Sequence, residues 1–404
     1  MSRCLLIPEL ETKMKKSLMA LAVMGAFAGT AMAANVTGYG VIDTGLQYQH
    51  VDTDGVANES TFEMSSGVMS GSRVGLKGSE DLGNGLTVGF VLENGFSSDD
   101  GKMGQGDRLF GREAQVNLSG SFGTIAMGRM GNLVSGNGTF GLAGGLSPFG
   151  TTWGEYAATP NNVMTTFDRY DNMVTYKSPT FSGFTAYAQY SFGTDNNNDF
   201  DGTEGKSSVD RYAAIGATYI NGPLSLVAIV DQTNYSEKRW SADASVDTNT
   251  DVDDAISFTL GGSYDFGVTK LYASGQYFKD AMVDSVDRIS SSMFDLEEDG
   301  SLFQMKGFGL TLGADVPLAG GTFKVGTAYM DGTIETVNKW NMSDTLIGEV
   351  DLTRWNTTVG YNYPFSKRTS VYGVASYSHN NVDVQSLDID SNVIEAAVGL
   401  VHKF

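Results

Sequence analysis

Acid–base or metal chemistry in this chain would have to be built on three histidines, one cysteine and a set of carboxylates. Such chemistry needs its groups within hydrogen-bond reach of one another and of a substrate. His50 and His379 sit where alternating stretches give way to loops, and His402 has the outward register of the last stretch. These are the places of interface or loop histidines, so no enzyme is expected. There is no Walker, zinc-binding or GxSxG spacing, and the GYG at 38–40 is a pair of strand glycines rather than a dinucleotide loop. The stretch DNNNDFDG at 195–202 resembles the start of a calcium loop. It lacks glycine at the sixth position and has Lys206 at the twelfth, where a glutamate would ligate. No cofactor and no metal are expected.

Charge narrows the partners. The chain carries −21, and residues 1–33 hold four bases and two acids, so the remainder stands near −23. A nucleic-acid partner would want basic patches, and is excluded. Residues 1–33 read as two pieces. Met14-Lys15-Lys16, a short apolar run from Leu18 to Gly29 and the small-residue site ending at Ala33 describe a secretory signal peptide over 14–33. Met1–Lys13 then reads as an upstream-start artefact. Cys4 precedes the signal, so the exported chain 34–404 would contain no cysteine and no disulfide framework.

Bases in strand register are more informative. Residues 72–96, SRVGLKGSEDLGNGLTVGFVLENGF, alternate Val74 and Leu76 with Arg73, Gly75 and Lys77, turn at Leu82–Gly85, then alternate Leu86, Val88, Phe90 and Leu92 with polar and small residues. Period two marks strands whose faces meet different media, and Gly-Asn-Gly joins them as a hairpin. From Ala34 onward no helical period appears. Sixteen alternating runs follow, from 35–49 to 391–404, although 108–119 and 303–315 alternate imperfectly. With 51 glycines and 7 prolines the composition suits a sheet with tight turns and close backbone contacts.

The connections alternate strictly between short and long. Short ones include 82–85, 120–123, 221–222 and 266–267, and long ones include 50–71, 131–168, 193–209, 233–254, 280–302, 332–350 and 381–390. Short turns at one end and long loops at the other describe an all-β, 16-stranded antiparallel transmembrane barrel, with no free edge in lipid. One face of each run is apolar, with aromatics crowded toward the ends, as in Phe184, Tyr190 and Phe192 or Trp355, Tyr361 and Tyr363. The other face, as in Arg354, Asn356, Thr358, Gly360 and Asn362, suits a wet lumen.

Two kinds of loop stand out. Loop 280–302 has seven acids against Arg288, and loop 233–254 has six against Lys238 and Arg239. They read first as solvated surface. A sharper reading is divalent-cation bridging to lipopolysaccharide. Loop 131–168 differs, with eight glycines, two acids (Glu155 and Asp168), no base and many large apolar residues. A loop this apolar must pack against something: folding into the barrel would bury it and narrow the lumen, and the alternative is packing over the barrel mouth as a lid or at a subunit contact.

The chain resembles a Gram-negative general porin of the β-proteobacterial type along its whole exported length. The stretches that carry this are VTGYGVIDTGL (36–46), SRVGLKGSEDLGNGL (72–86), LFGREAQVNLSGSFGTIAMGRM (109–130), RYDNMVTYKSPTFSGF (169–184), YNYPFSKRTSVYG (361–373) and VGLVHKF (398–404). The resemblance implies a homotrimer, passive diffusion of ions and small hydrophilic solutes, and a constriction formed by the third long loop. It implies wall bases facing that loop at Arg73, Lys77, Arg112, Arg129 and Arg169, with Glu155 and Asp168 as the loop's acids. Parity turns Arg73, Lys77 and Arg169 inward, and also Lys324 and Arg354. Arg112 and Arg129 have outward parity, so each requires a bulge or a rim position. Terminal Phe404 resembles the signal read by the barrel-assembly machinery. Wall arginines favour anions at the narrow point, acidic loops gather cations at the mouth, and salt screens the latter beyond about 8–10 Å. The balance leans weakly toward anions. The alternatives are a substrate-specific channel or a plugged surface-recognition barrel.

Overall fold

The computed structural model describes residues 35–165, 167–195, 204, 209–236, 252–282, 303–336, 350–384 and 387–404. The strands are β1 (Asn35–Thr53), β2 (Glu59–Ser66), β3 (Arg73–Gly83), β4 (Leu86–Gly95), β5 (Glu113–Gly120), β6 (Gly123–Gly131), β7 (Arg169–Lys177) and β8 (Phe184–Ser191). They continue with β9 (Arg211–Asn221), β10 (Leu224–Asn234), β11 (Ala255–Asp265), β12 (Lys270–Met282), β13 (Phe303–Leu318), β14 (Gly321–Thr336), β15 (Val350–Pro364), β16 (Thr369–Val384) and β17 (Leu387–Lys403). Every pairing is antiparallel, and β17 returns to β1 from Val41↔Lys403 to Thr53↔Ser391, closing the sheet.

The lower part of β1 pairs with β3 and its upper part with β2. These two strands are therefore pieces of one stave, and the closed barrel has 16. The sequence reading treated 50–71 as loop. Its alternation of Phe62 and Met64, both exposed, with Thr61 and Glu63 was masked by the Ser- and Gly-rich Ser65–Ser72 that follows. That segment leaves the ladder at Gly67 (φ 77°) and folds inward.

Closure satisfies every stave's backbone without water, so the outer face is free to be apolar. Leu226, Leu260, Leu312, Val359, Val398 and Leu400 are exposed there. Aromatic side chains bound this band in two belts. At the short-turn end Phe184 meets Tyr219, Tyr264 meets Phe266 and Tyr363 meets Phe365; at the other end the pairs are Tyr190 with Phe192, Phe308 with Tyr329 and Trp355 with Tyr377. Along β15, Trp355 and Tyr363 are eight residues apart. At about 3.3 Å per residue and a tilt of about 40°, that spans about 20 Å, near the height of a membrane barrel's apolar band. Among the described residues no helix is long and apolar enough to cross a membrane, and the crossing is by strands.

The long loop after β6 runs inside. Leu133, Val134, Phe140, Ala143 and Leu146 pack with Met173, Tyr212, Ala214, Val227 and Ile229 of β7, β9 and β10. Phe149, Trp153 and Ala157 pack with Val41, Tyr372, Val374, Ala397 and Val401. Ala158, Val163 and Met164 pack with Phe278, Met305, Met330, Leu352 and Val382. Close approach is paid for by missing side chains on the wall: a Cβ at Gly309 would collide with the Val163 carbonyl, and one at Gly360 would press on Phe149 and Trp153.

This changes the reading of the inward face. Much of it does not meet water, since Asn356, Thr358, Thr259 and Gln276 are buried. Three of them satisfy the loop's backbone instead, while Thr259 accepts from Gln276 Nε2. Thr358 Oγ1 accepts from Ala158 N (2.7 Å), Gln276 Oε1 accepts from Thr165 N (2.6 Å) and Asn356 Nδ2 donates to Tyr156 O (3.1 Å). An apolar loop can lie on a polar wall only if its own amides find partners there.

Candidate functional site

The inner wall from β1 through β3 to β7 collects a cluster of arginines and acids. Strand alternation brings Arg73 and Glu93 inward from β3 and β4. Glu93 is buried, and its Oε1 accepts from Arg112 Nε at 2.7 Å. Its Oε2 accepts from Tyr39 Oη at 2.9 Å and lies 3.6 Å from Arg73 Nε. Two guanidiniums thus share one carboxylate.

Arg112 reaches the interior because it sits one residue before β5 begins, on chain that has left the ladder. Its Nη1 would lie 3.0 Å from a Cβ at Gly71, a spot that only glycine leaves open. Arg129 arrives by another route. The β6–β7 register jumps from Gly128↔Met173 to Met130↔Tyr170, so Asp171 and Asn172 oppose Arg129 alone in a β-bulge. Arg129 Nη1 bonds Asp171 Oδ1 at 2.7 Å and its Nε donates to Gly111 O at 2.8 Å. Asp171 Oδ2 also takes Arg108 Nη2 at 3.2 Å, and Arg108 further pairs with Asp195.

Asp168 and Arg169 join the loop to β7 between these groups. Asp168 Oδ1 accepts from Arg169 N (2.6 Å). Enclosure by the surrounding wall pushes the Asp168 carboxyl above the ordinary carboxylate range, opposed by that N–H and by the Arg129 and Arg169 guanidiniums. Arg169 is crowded electrostatically by Arg112 and Arg129, and its buried Nε has no hydrogen-bond partner. Lys77 lies exposed on β3, its ammonium 5.2 Å from the centre of the Tyr39 ring.

Glu155 lies elsewhere, on the β1–β17 side. Gln49 Nε2 donates to its carboxylate at 2.9 Å, and the Glu155 and Tyr156 N–H groups donate to Glu395, each at 3.0 Å. Lys324 and Arg354 do point inward, but under the loop. Lys324 Nζ donates to Pro148 O (2.7 Å) and pairs with Asp315 (2.8 Å), while Arg354 Nη1 donates to Asn162 O (3.0 Å).

Sequence reasoning did not nominate Tyr39, Glu93, Arg108 or Asp171. Glu93 had inward parity opposite Gly75, diagonal to Arg73, and could have been found by pairing the two strands. Asp171 and Arg108 could not, because a bulge and an irregular segment place them. The histidines lie apart: His50 bonds Ser60, His379 bonds Asn392, and His402 bonds Thr369. Of the calcium-like stretch only Asp195 is described, and most of loops 233–254 and 280–302 lies outside the described residues. Among the described residues no cluster of three or more His, Cys, Asp or Glu is placed to hold a metal.

A family model for Gram-negative porins matches residues 20–383. An outer membrane porin protein of Bordetella pertussis is 36% identical over 97% of this chain and 100% of its own length. The chain belongs to the Gram-negative porin family. Outer membrane porin protein 32 of Delftia acidovorans is 32% identical, with 95% of this porin and 94% of that protein covered. Among solved structures, an anion-selective porin from Comamonas acidovorans is 27% identical, covers 92% of this porin and 100% of its own chain, and superposes with a TM-score of 0.59. This porin is an outer-membrane barrel with a channel function, and the loop after β6 packs inside it.

Proposed function

We propose that the protein is a general diffusion channel for ions and small hydrophilic solutes, with a preference for anions. The observation that carries this is the arginine cluster of the wall. Arg73 and Arg112 share Glu93, Arg108 and Arg129 share Asp171, and Arg169 lies within electrostatic reach of Arg112 and Arg129, so the arginines are concentrated there beside the buried acids Asp43 and Glu113. In a passage bounded by low-dielectric walls local charge outweighs distant surface charge. Fixed charges at the narrowest point then set the preference, as in other pores. Arg73, Lys77, Arg112, Arg129, Arg169 and Asp168 would line the constriction, with Glu155 on the loop's far side. The anion selectivity of the Comamonas porin agrees with this reading.

The long loop's apolar residues lie on the wall rather than across the mouth, which favours an open channel over a plugged recognition barrel. The separated histidines favour a channel without enzymatic activity. We further propose a homotrimer, assembled after the assembly machinery reads Phe404, with lipopolysaccharide at the acidic loops. Single-channel current across a planar bilayer, in symmetric and then graded salt, tests the whole reading. Large ohmic steps closing in threes, with a reversal potential of anionic sign, are expected. A silent barrel would overturn the diffusion channel, and a cationic sign would overturn the preference.

A further inference from the structure

The inward fold Gly67–Ser72 between β2 and β3 touches both the long loop and the arginines of the wall. On one side it holds the long loop. Val68 O accepts from Trp153 N (2.6 Å) and Gly154 N (3.1 Å), and Met69 O accepts from Thr152 Oγ1 (2.6 Å). Val68 is itself buried with Phe149, Trp153 and Ala157. On the other side it holds an arginine: Arg73 Nη1 donates to Gly71 O (2.8 Å) and to Ser70 Oγ (3.2 Å), and the Arg112 guanidinium lies against Gly71.

A single wall residue pins this strap. Asp43 of β1 is fully buried. Its Oδ2 accepts from Met69 N (2.8 Å) and Ser70 N (2.7 Å), and its Oδ1 accepts from Tyr372 Oη (2.8 Å). Its carbonyl accepts from Gly67 N (3.0 Å), Ser72 Oγ (3.1 Å) and Ser98 Oγ (2.8 Å). Every strap bond made by the Asp43 side chain goes to backbone N–H, so the carboxylate acts by fixing where the chain runs.

We propose that Asp43 is a positioning residue for permeation: through the Gly67–Ser72 strap it sets the place of the loop at Thr152–Gly154 and of Arg73 and Arg112 at the strap's other end. The inference rests on the diffusion-channel reading above. It gives that reading one control point, because aperture and charge are carried by the same six residues. Asparagine could keep the geometry. Its Oδ1 can accept both N–H groups while its Nδ2 donates to the Tyr372 hydroxyl, whereas alanine can do neither.

The experiment compares wild type, Asp43→Ala, Asp43→Asn and Thr152→Val in planar bilayers, after each has been shown by heat-modifiable gel mobility to be a folded barrel. Asp43→Ala should change the anion-to-cation permeability ratio by about twofold or more, the lower end of what coupled positions achieve, with noisier open-channel current. Asp43→Asn should match wild type, and Thr152→Val should shift in the direction of Asp43→Ala. The double variant Asp43→Ala/Thr152→Val should fall short of the sum of the single effects, because both release one strap. If Asp43→Ala conducts and selects like wild type, the strap is overturned while the channel stands. If Asp43→Asn behaves like Asp43→Ala, charge rather than position is responsible and the proposal fails. Should Asp43→Ala not fold, an unchanged ratio in Thr152→Val overturns it alone. A silent wild type would remove the channel reading itself.

Discussion

At the scale of the residue, the wall is organised by carboxylates shared between arginines. Glu93 takes Arg73 and Arg112, and Asp171 takes Arg108 and Arg129. Removing one guanidinium leaves its acid served by the other, so the fold should survive while the local charge falls by one. Arg129→Ala should therefore lower the anion-to-cation permeability ratio several-fold and raise conductance for small cations, read as a shift of reversal potential in graded salt. Asp168 supplies a pH test. Its carboxyl is raised, so on acidification it gains a proton earlier than an ordinary aspartate would. Loss of that negative charge leaves Arg129 and Arg169 less opposed, and anion preference should increase as pH falls from neutral into the acid range. Asp168→Asn should show the acid-range preference already at neutral pH and lose most of the pH step.

At the scale of the element, the loop after β6 is held by packing on the wall and by wall side chains that bond its backbone. Phe149 is 1% exposed and Trp153 5%. Phe149→Ala should cost about 3–5 kcal/mol locally, the usual penalty for a buried aromatic. Because the barrel's ladder does not depend on it, the effect should appear as frequent sub-state flicker and protease cleavage within 131–168, with the barrel's heat resistance kept. Gly309→Val should act more sharply. Its side chain would occupy the space of the Val163 carbonyl, so either loop or wall must move. Altered conductance with an unchanged gel shift is expected.

At the scale of the whole molecule, closure is the decisive event. β17 lies along β1 for thirteen paired positions, and Phe404 finishes the seam by exchanging two 3.0 Å backbone bonds with Gly40. The Phe404 ring lies over Gly40, where no side chain would fit. Phe404→Ala keeps the backbone bonds but removes the ring. The expected result is slower appearance of the folded, heat-modifiable form during refolding into vesicles, with normal conductance once closed. Equal refolding rates for Phe404→Ala and wild type would show that the ring contributes nothing to closure.

What the sequence determined by itself was everything periodic. A strand's register repeats every two residues, so the stave positions other than Glu59–Ser66, the two faces, the aromatic belts and the inward direction of Arg73, Lys324 and Arg354 were written locally. The asymmetry of turns and loops was equally legible, and with it the barrel. The apolar content of 131–168 required burial, but the lumen, the barrel mouth and a subunit contact were all open to it, and only the resemblance favoured the lumen. Tertiary structure alone decided the rest, because it depends on where the period breaks. Arg129 is bound by Asp171, which a bulge in β7 places opposite it, and Arg112 comes inward on chain outside any ladder. Glu155 went to the β1–β17 wall and the arginines to another part of the wall because packing on Gly309, Gly326 and Gly360 fixes the loop's path. The Asp43 strap arises where one stave is cut in two, and no local alternation encodes a contact made by chain that has left the ladder.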